Sequence, residues 1–158
     1  MKNGWFLFQK YLKNLMTELE HTRKFRRKET GEDFTPPELV SEMLDKLPSS
    51  CFTNPTKTFC DPAAGNGNFL VAILSRKLAA GQPPLQALSS VWGVELMNDN
   101  VEEMKARLLA LLPNTLTPEE RIEAQRIVDH NIICHNALTW DFENWKSKER
   151  HAKALFNT

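Results

Sequence analysis

The chain has 158 residues, of which 41% are hydrophobic and 25% are charged, and its formal net charge is zero. This length and composition predict one globular domain with a single core, and they exclude a low-complexity chain and a strongly basic, generic nucleic-acid binder. No apolar run approaches the ~20 residues that a membrane span needs. No signal-peptide pattern opens the chain, so we expect a cytoplasmic protein.

Positive charge is concentrated at the start of the chain. Residues 1–28 contain eight Lys or Arg and two Glu, so they carry +6 while the remaining residues carry −6. The apolar spacing between Trp5 and Lys28 predicts an amphipathic helix, and with it a helical extension over residues 1–30. Its basic cluster consists of Arg23, Lys24, Arg26, Arg27 and Lys28. The cluster is either a solvated helix face or a segment that contacts DNA phosphates, and the spacing does not decide between them.

The segment at residues 34–48 (FTPPELVSEMLDKLP) predicts a helix that ends before its last proline. Thr35 is expected to cap this helix, with Pro36 at the first helical position and Glu38 completing a capping box. The apolar stripe expected to face the core consists of Leu39, Val40, Met43, Leu44 and Leu47. The next residues, 49–57 (SSCFTNPTK), are predicted to form turns.

A first strand is predicted at about residues 58–61, followed by a turn that contains Gly65 and Gly67. A helix follows this turn and is expected to close at Gly81. The residues of this helix that should face inward are Phe69, Leu70, Ile73 and Leu74.

The rest of the chain continues to alternate strands with helices. The pattern predicts a strand over residues 90–96, a helix over 98–112, a helix over 118–127 and a strand over 131–134. Thr117, Pro118 and Glu120 form a second capping box at the start of the later helix. The alternation predicts an α/β fold built from right-handed βαβ units around a parallel sheet.

The two glycines after the first strand are the first sign of a ligand site. Neither has a Cβ, so the backbone can approach a ligand closely, at the strand end where open α/β sheets bind ligands. A dinucleotide fold would have a third glycine where this chain has Leu70, and a P-loop would have a lysine directly after Gly67. Both of these nucleotide-binding interpretations therefore fail. Taken alone, a Gly-X-Gly pair more often marks a tight turn.

Glu95 lies at the carboxyl end of the second predicted strand. An acid in this position can accept hydrogen bonds from the two hydroxyl groups of a ribose. The alternative is a structural role beside the start of the next helix, where Asn98 and Asp99 also lie. An acid at the end of an apolar strand is costly to bury without a partner, which favours the ligand role.

Other residue types give weaker indications. No CxxC pair and no metal-ligand spacing is present, so buried thiols and no metal site are expected from Cys51, Cys60 and Cys134. Large aromatic residues beside strands are more often core residues than base-stacking surfaces. The core is therefore the favoured location of Trp92, Trp140 and Trp145.

Four segments follow one another along the chain: Phe34–Pro37 (FTPP), Asp61–Leu70 (DPAAGNGNFL), Val91–Leu96 (VWGVEL) and Asn131–Leu138 (NIICHNAL). In this order they resemble the successive motifs of gamma-type adenine DNA methyltransferases, the N-6 DNA methylases of restriction–modification systems and phages. The resemblance covers roughly residues 30–142. It implies a Rossmann-like, S-adenosylmethionine-dependent methyltransferase fold over residues 31–158, with an incomplete parallel sheet. It also implies DNA as a partner and methyl transfer from S-adenosylmethionine to the exocyclic amine of adenine.

The resemblance also implies roles for individual residues at the methionine end of the cofactor. Thr35 and Pro36 would border this end, and Asp61 would lie near its amino group. The backbone that curves around the cofactor would be that of Ala63, Gly65 and Gly67.

At the adenosine end, the resemblance implies that Glu95 holds the ribose and that Leu96 flanks the adenine ring. Asn136 would face the exocyclic amine of that ring. The family usually has aspartate at this position, so we expect cofactor binding to be weakened by Asn136, but not lost.

The catalytic motif of the family, Asn/Asp-Pro-Pro-Tyr/Phe, does not occur in the 158 residues, so no catalytic residue is assigned. The Pro-Pro pairs at residues 36–37 and 83–84 are in the wrong context. We expect a chain truncated before this motif, completed by a downstream segment or a second chain, with a fourth strand possible at Ala154–Phe156. Two functions follow: the cofactor-binding part of an adenine DNA methyltransferase, or a non-catalytic adaptor of a methylase or restriction complex that binds S-adenosylmethionine or DNA. A third alternative is a decayed fragment with no function.

Overall fold

The computed structural model describes residues 33–145. The chain divides into two units, Met1–Phe34 and Thr35–Thr158, and every element described below lies in the second unit. Three predicted features lie outside the described residues: the N-terminal helix, its basic cluster and the strand at Ala154–Phe156. No helix among residues 33–145 is long and apolar enough to cross a membrane.

Helices and strands alternate along the described chain. The first half contains α1 (Pro37–Asp45), α2 (Ser50–Thr53), β1 (Phe59–Asp61), α3 (Asn68–Ala79) and α4 (Pro84–Ser89). The second half contains β2 (Val91–Glu95), α5 (Asn98–Ala110), α6 (Pro118–Asn131), β3 (Ile132–Cys134), a 3-10 helix (Ala137–Thr139) and α7 (Phe142–Trp145). The strands and long helices predicted within residues 33–145 are all present. The short helices α4 and α7 were not predicted, and α2 corrects the prediction that residues 49–57 form only turns, because buried Phe52 packs its single helical turn against the core.

The three strands form one parallel sheet in the order β1-β2-β3. Phe59 pairs with Val91 across the first strand pair, and Gly93 pairs with Ile132 across the second. Helices α3 and α4 connect the first pair, while α5 and α6 connect the second. The predicted mixed α/β fold with a parallel sheet is therefore confirmed.

The main core lies between one face of the sheet and the connecting helices. Phe59, Val91 and Ile132 pack there with buried side chains of the helices, including Leu70. This packing depends on a glycine in β2, because a Cβ at Gly93 would lie 2.8 Å from Leu70 Cδ1. The glycine lets α3 approach the central strand closely.

A second, aromatic cluster covers the opposite face of β2. Trp92 and Val94, the alternate residues of the strand, are buried there together with Trp145 of α7. The Trp92 and Trp145 rings meet edge to face at 4.9 Å, and Trp145 Nε1 donates to the carbonyl of His130 at 2.9 Å. Trp140 is partly buried against Trp145. The predicted core role is therefore confirmed for Trp92 and Trp145, while Trp140 lies only at the edge of the cluster.

The predicted capping box at the start of α1 is wrong. The N-cap residue is Pro36, which has an extended backbone (φ −57°, ψ 144°), and no side chain caps the helix. A residue that precedes proline avoids the helical region, so Pro37 keeps Pro36 extended and becomes the first helical residue itself. The helix therefore begins one position later than Thr35 and Glu38 would require.

The apolar stripe of α1 is also narrower than predicted. Val40 and Leu44 are buried, whereas Leu39, Met43 and Leu47 are exposed. The helix contacts α3 along one edge. Val40 and Leu44 are four residues apart, so they lie on the same side of the helix and line this edge.

The predicted capping box of α6 is confirmed. Glu120 N–H donates to Thr117 Oγ1, and Thr117 N–H donates to Glu120 Oε2. The helix continues four residues past the predicted end at Ile127, to Asn131. The buried Asn131 Nδ2 donates to the carbonyls of Ser89 in α4 and Val91 in β2, and these bonds hold the last turn of α6 against the sheet.

The prediction of buried cysteines is wrong. Cys60 and Cys134 are exposed, and Cys51 is only partly buried. Cys60 pairs with Trp92 on the sheet face away from the connecting helices. Cys134 is the last residue of β3, where the strand leaves the core.

Gly67 offers a test of how closely α5 packs against the turn after β1. Its φ is +86°, and a Cβ at this position would lie 2.5 Å from Met104 Cγ. We expect Gly67→Ala to lower the free energy of unfolding by about 2 kcal/mol or more, from backbone strain plus overpacking. Urea unfolding followed by circular dichroism measures this loss.

Gly81→Ala is the matched control. Gly81 has a similar φ of +81°, but no atom lies within 4 Å of its Cβ position. We expect only the backbone cost, about 1 kcal/mol. Equal losses in the two variants would contradict the packing described here.

Candidate functional site

The polar residues predicted for the site meet at the carboxyl edge of the sheet. Asp61 and Glu95 are the last residues of β1 and β2, and Asn136 follows β3 by two residues. His135 N–H donates to the Glu95 carbonyl at 2.9 Å, which continues the β2–β3 pairing to the base of this site. Carboxyl ends of parallel strands are where open α/β sheets bind ligands.

The turn after β1 folds across the end of β2. Ala64 N–H donates to the Val94 carbonyl at 3.0 Å, and Gly67 N–H donates to the Ala64 carbonyl at 2.8 Å. Gly65 and Gly67 have φ values of +53° and +86°, which side chains disfavour. The turn therefore favours glycine at both positions, and it places the backbone N–H of Gly65 beside Glu95.

The Glu95 carboxylate connects the turn after β1 to the backbone that follows β2. Its Oε2 accepts from Gly65 N–H at 2.9 Å, and its Oε1 accepts from Met97 N–H at 2.9 Å. Each carboxylate oxygen keeps a second lone pair for another donor. The structural role beside α5 and a ligand-binding role are thus compatible in one side chain.

Asp61 is the second carboxylate of the site, and its surroundings oppose its charge. Burial raises the pKa of the Asp61 carboxyl, the Glu95 charge raises it further, and a hydrogen bond from Ala63 N–H acts in the opposite direction. An apolar cavity of about 300 Å³, lined by residues such as Leu44 and Phe69, lies beside Asp61. A cationic group bound between the two carboxylates would relieve this unfavourable arrangement.

Helix α5 supports the glycine turn from behind. Asn66 Nδ2 donates to Glu103 Oε1 at 3.0 Å, and an Arg107 guanidinium nitrogen donates to the Asn66 carbonyl at 2.7 Å. No role for these three residues was predicted from the sequence. Glu103 and Arg107 lie one helical turn apart, but that spacing occurs equally on a solvent-facing helix.

The remaining predicted residues lie around this edge. Asn68 Nδ2, at the start of α3, donates to the Thr35 carbonyl at 2.9 Å, which places the residue before Pro36 beside the glycine turn. Pro36, Ala63 and Leu96 are exposed. Among residues 33–145, no group of three His, Cys, Asp or Glu side chains is placed to hold a metal ion.

Comparison with known proteins gives a partial match to a methyltransferase. The chain is 38% identical over 55 residues to the type II methyltransferase M.VspI of Vibrio sp. (strain 343). The matched stretch is 35% of this chain and 12% of that protein's length. No family model matches the chain, and no solved structure matches it. The match supports a relation to methyltransferases.

The charge of Asp61 should lower the stability of the fold near neutral pH. Its folded-state pKa is raised, so the carboxyl favours folding fully below its ordinary value of 3.8 and loses this contribution as pH rises through the folded-state pKa. We therefore expect Asp61→Asn to unfold at higher urea concentration than the parent at pH 7. The difference should shrink as pH falls toward 4 (about the ordinary pKa of aspartate).

Asp129→Asn is a control of opposite sign. Burial works against the charge of Asp129, but hydrogen bonds from Lys105 and Gln125 outweigh it and hold the pKa of Asp129 below its ordinary value. This variant should be less stable than the parent at pH 7, with a loss that disappears in acid. A loss of stability at pH 7 in Asp61→Asn as well would contradict the electrostatics described for the site.

Proposed function

We propose that residues 31–158 form a Rossmann-like domain that binds S-adenosylmethionine, as the cofactor-binding part of an adenine-specific DNA methyltransferase. The observation that carries this proposal is the hydrogen bond between the Glu95 carboxylate and Gly65 N–H. It joins the glycine turn after β1 to the acid after β2 in a single site. The partial match to a type II methyltransferase supports the same class of function.

The residues at this edge suit the chemical groups of S-adenosylmethionine. The backbone at Gly65 and Gly67 can approach a ligand without a Cβ in the way. Glu95 has spare acceptor capacity for the two ribose hydroxyls, although both of its oxygens already accept one N–H each. Asp61 supplies a carboxylate for an ammonium group, and binding a cation there would lower the electrostatic cost of its own charge.

In this proposal the chain binds and orients the cofactor. Thr35 and Pro36 border its methionine end, and the backbone of Ala63 curves around it together with the two glycines. Leu96 flanks the adenine ring, and Asn136 faces the ring edge. When bound, S-adenosylmethionine supplies a methyl group activated by a positively charged sulfur, and fixing that group in line with its acceptor is the main catalytic contribution of such a site.

Methyl transfer itself requires residues that hold the target adenine. The 158 residues contain no Asn/Asp-Pro-Pro-Tyr/Phe motif, so that motif would have to come from another segment or chain. DNA is the proposed partner, and the basic cluster at Arg23, Lys24, Arg26, Arg27 and Lys28 is proposed to contact its phosphates. The aligned part of this chain covers 12% of the relative, which leaves room in that protein for such elements.

Calorimetric titration with S-adenosylmethionine tests the proposal. The parent should bind, and Glu95→Ala should weaken binding at least tenfold (about 1.4 kcal/mol), because the ribose acceptors and the support of the turn are both lost. Glu119→Ala is the control, since Glu119 is an exposed acid at the start of α6 and should leave binding unchanged. No binding by a parent whose circular dichroism shows it to be folded would contradict the proposal and favour a DNA-binding adaptor.

A further inference from the structure

We infer that Arg107 and Glu103 of α5 are positioning residues, which hold the glycine turn after β1 in the shape that receives the cofactor. The inference rests on the proposed function, to which it adds two residues outside the ligand-binding set. Both act through Asn66, the residue between the two glycines of the turn.

One face of α5 meets the turn. Residues 103, 104 and 107 are three and four apart, so they lie on the same side of the helix. Glu103 and Arg107 bond to Asn66. Met104 packs on Gly67 so closely that a Cβ at the glycine would lie 2.5 Å from Met104 Cγ. The turn is thus both packed against α5 and hydrogen-bonded to it at neighbouring points.

Asn66 is anchored at its backbone and at its side chain. An Arg107 guanidinium nitrogen donates to the Asn66 carbonyl at 2.7 Å, and Asn66 Nδ2 donates to Glu103 Oε1 at 3.0 Å. Each bond involves a charged group, and such bonds are stronger than those between neutral groups. Arg107 and Glu103 are half-buried, so water weakens these bonds less than it would at an exposed site.

The glycines by themselves leave the shape of the turn open. Glycine adopts positive and negative φ about equally readily, so Gly65 and Gly67 do not fix the peptide groups beside Asn66. The peptide between Asn66 and Gly67 is fixed by its bonds instead. Its carbonyl accepts from Arg107, and its N–H donates to the Ala64 carbonyl at 2.8 Å. Rotation of this peptide would break both bonds.

The turn is therefore held from two sides. Glu95 Oε2 accepts from Gly65 N–H on the side of the sheet, while Arg107 and Glu103 hold Asn66 from α5. A ligand that binds against a pre-formed turn spends no free energy on ordering it. Without the α5 anchors, binding would have to order this glycine-rich segment, and the dissociation constant would rise.

Calorimetric titration with S-adenosylmethionine tests the inference on three variants. Arg107→Met keeps an apolar stem but has no donor for the Asn66 carbonyl, and it should raise the dissociation constant about tenfold. Lysine keeps the charge and a donor, so Arg107→Lys should stay within about threefold of the parent. Glu103→Ala removes the side-chain anchor alone and should raise the dissociation constant about threefold or more.

Lys105→Met is the matched control on the same helix. Lys105 Nζ pairs with Asp129 Oδ1 at 2.8 Å, so this variant also removes a charged bond of α5, but one that is directed to α6. Urea unfolding of each variant separates a loss of stability from a loss of affinity. Lys105→Met should bind S-adenosylmethionine as the parent does.

The outcomes separate this inference from the proposed function. An unchanged dissociation constant in Arg107→Met would overturn the inference and leave the cofactor site intact. Equal weakening in Arg107→Lys or in Lys105→Met would overturn it too, because affinity would then follow the packing or the stability of α5. If Arg107→Met does not fold, Glu103→Ala decides in its place, by comparison with the parent and with Lys105→Met. No binding by the folded parent would overturn the proposed function, and the inference with it.

Discussion

The architecture of the sheet edge depends on the Glu95 carboxylate. An acid at the end of a buried strand needs hydrogen-bond partners, because an unpartnered charge is costly to remove from water. Here the partners are two backbone N–H groups, one from the glycine turn and one from the start of α5. Charge-assisted bonds of this kind are stronger than bonds between neutral groups. The same carboxylate therefore holds the turn in place and keeps lone pairs for a ligand. A substitution of Glu95 would change both the shape of the site and its capacity to bind.

Asp61 lies beside Glu95 but is held very differently. Its carboxylate accepts one N–H, from Ala63, and burial works against its charge. The two acids at this sheet edge thus differ in how well hydrogen bonds stabilise their negative charge. A poorly satisfied charge beside a well-satisfied one is typical of functional sites, where a group is kept for its ligand at some expense to the fold.

The sequence predicted the elements that short-range rules determine. The capping box at Thr117, the glycine turn and the alternation of strands with helices all depend on neighbouring residues, and the structure contains each of them. The predicted helix ends were wrong where contacts between residues distant in sequence, or two conflicting local signals, determined the structure. The second of two adjacent prolines, Pro37, displaced the start of α1, and bonds from Asn131 hold the longer α6 against the sheet. The support of the turn by Arg107 depends on which face of α5 meets it, and helical spacing leaves that open.

The aromatic cluster beneath β2 has a consequence for where this protein can be divided. Counting strands alone would place a domain boundary directly after β3, at Cys134. Trp145, eleven residues beyond that strand, is 4% exposed and covers the face of β2 that carries Trp92. Cleavage by a protease between Thr139 and Trp140 would separate the segment that carries Trp145 from the sheet. The face of β2 that carries Trp92 would then be exposed. A fragment that keeps this face of β2 buried therefore includes the segment from β3 to Trp145.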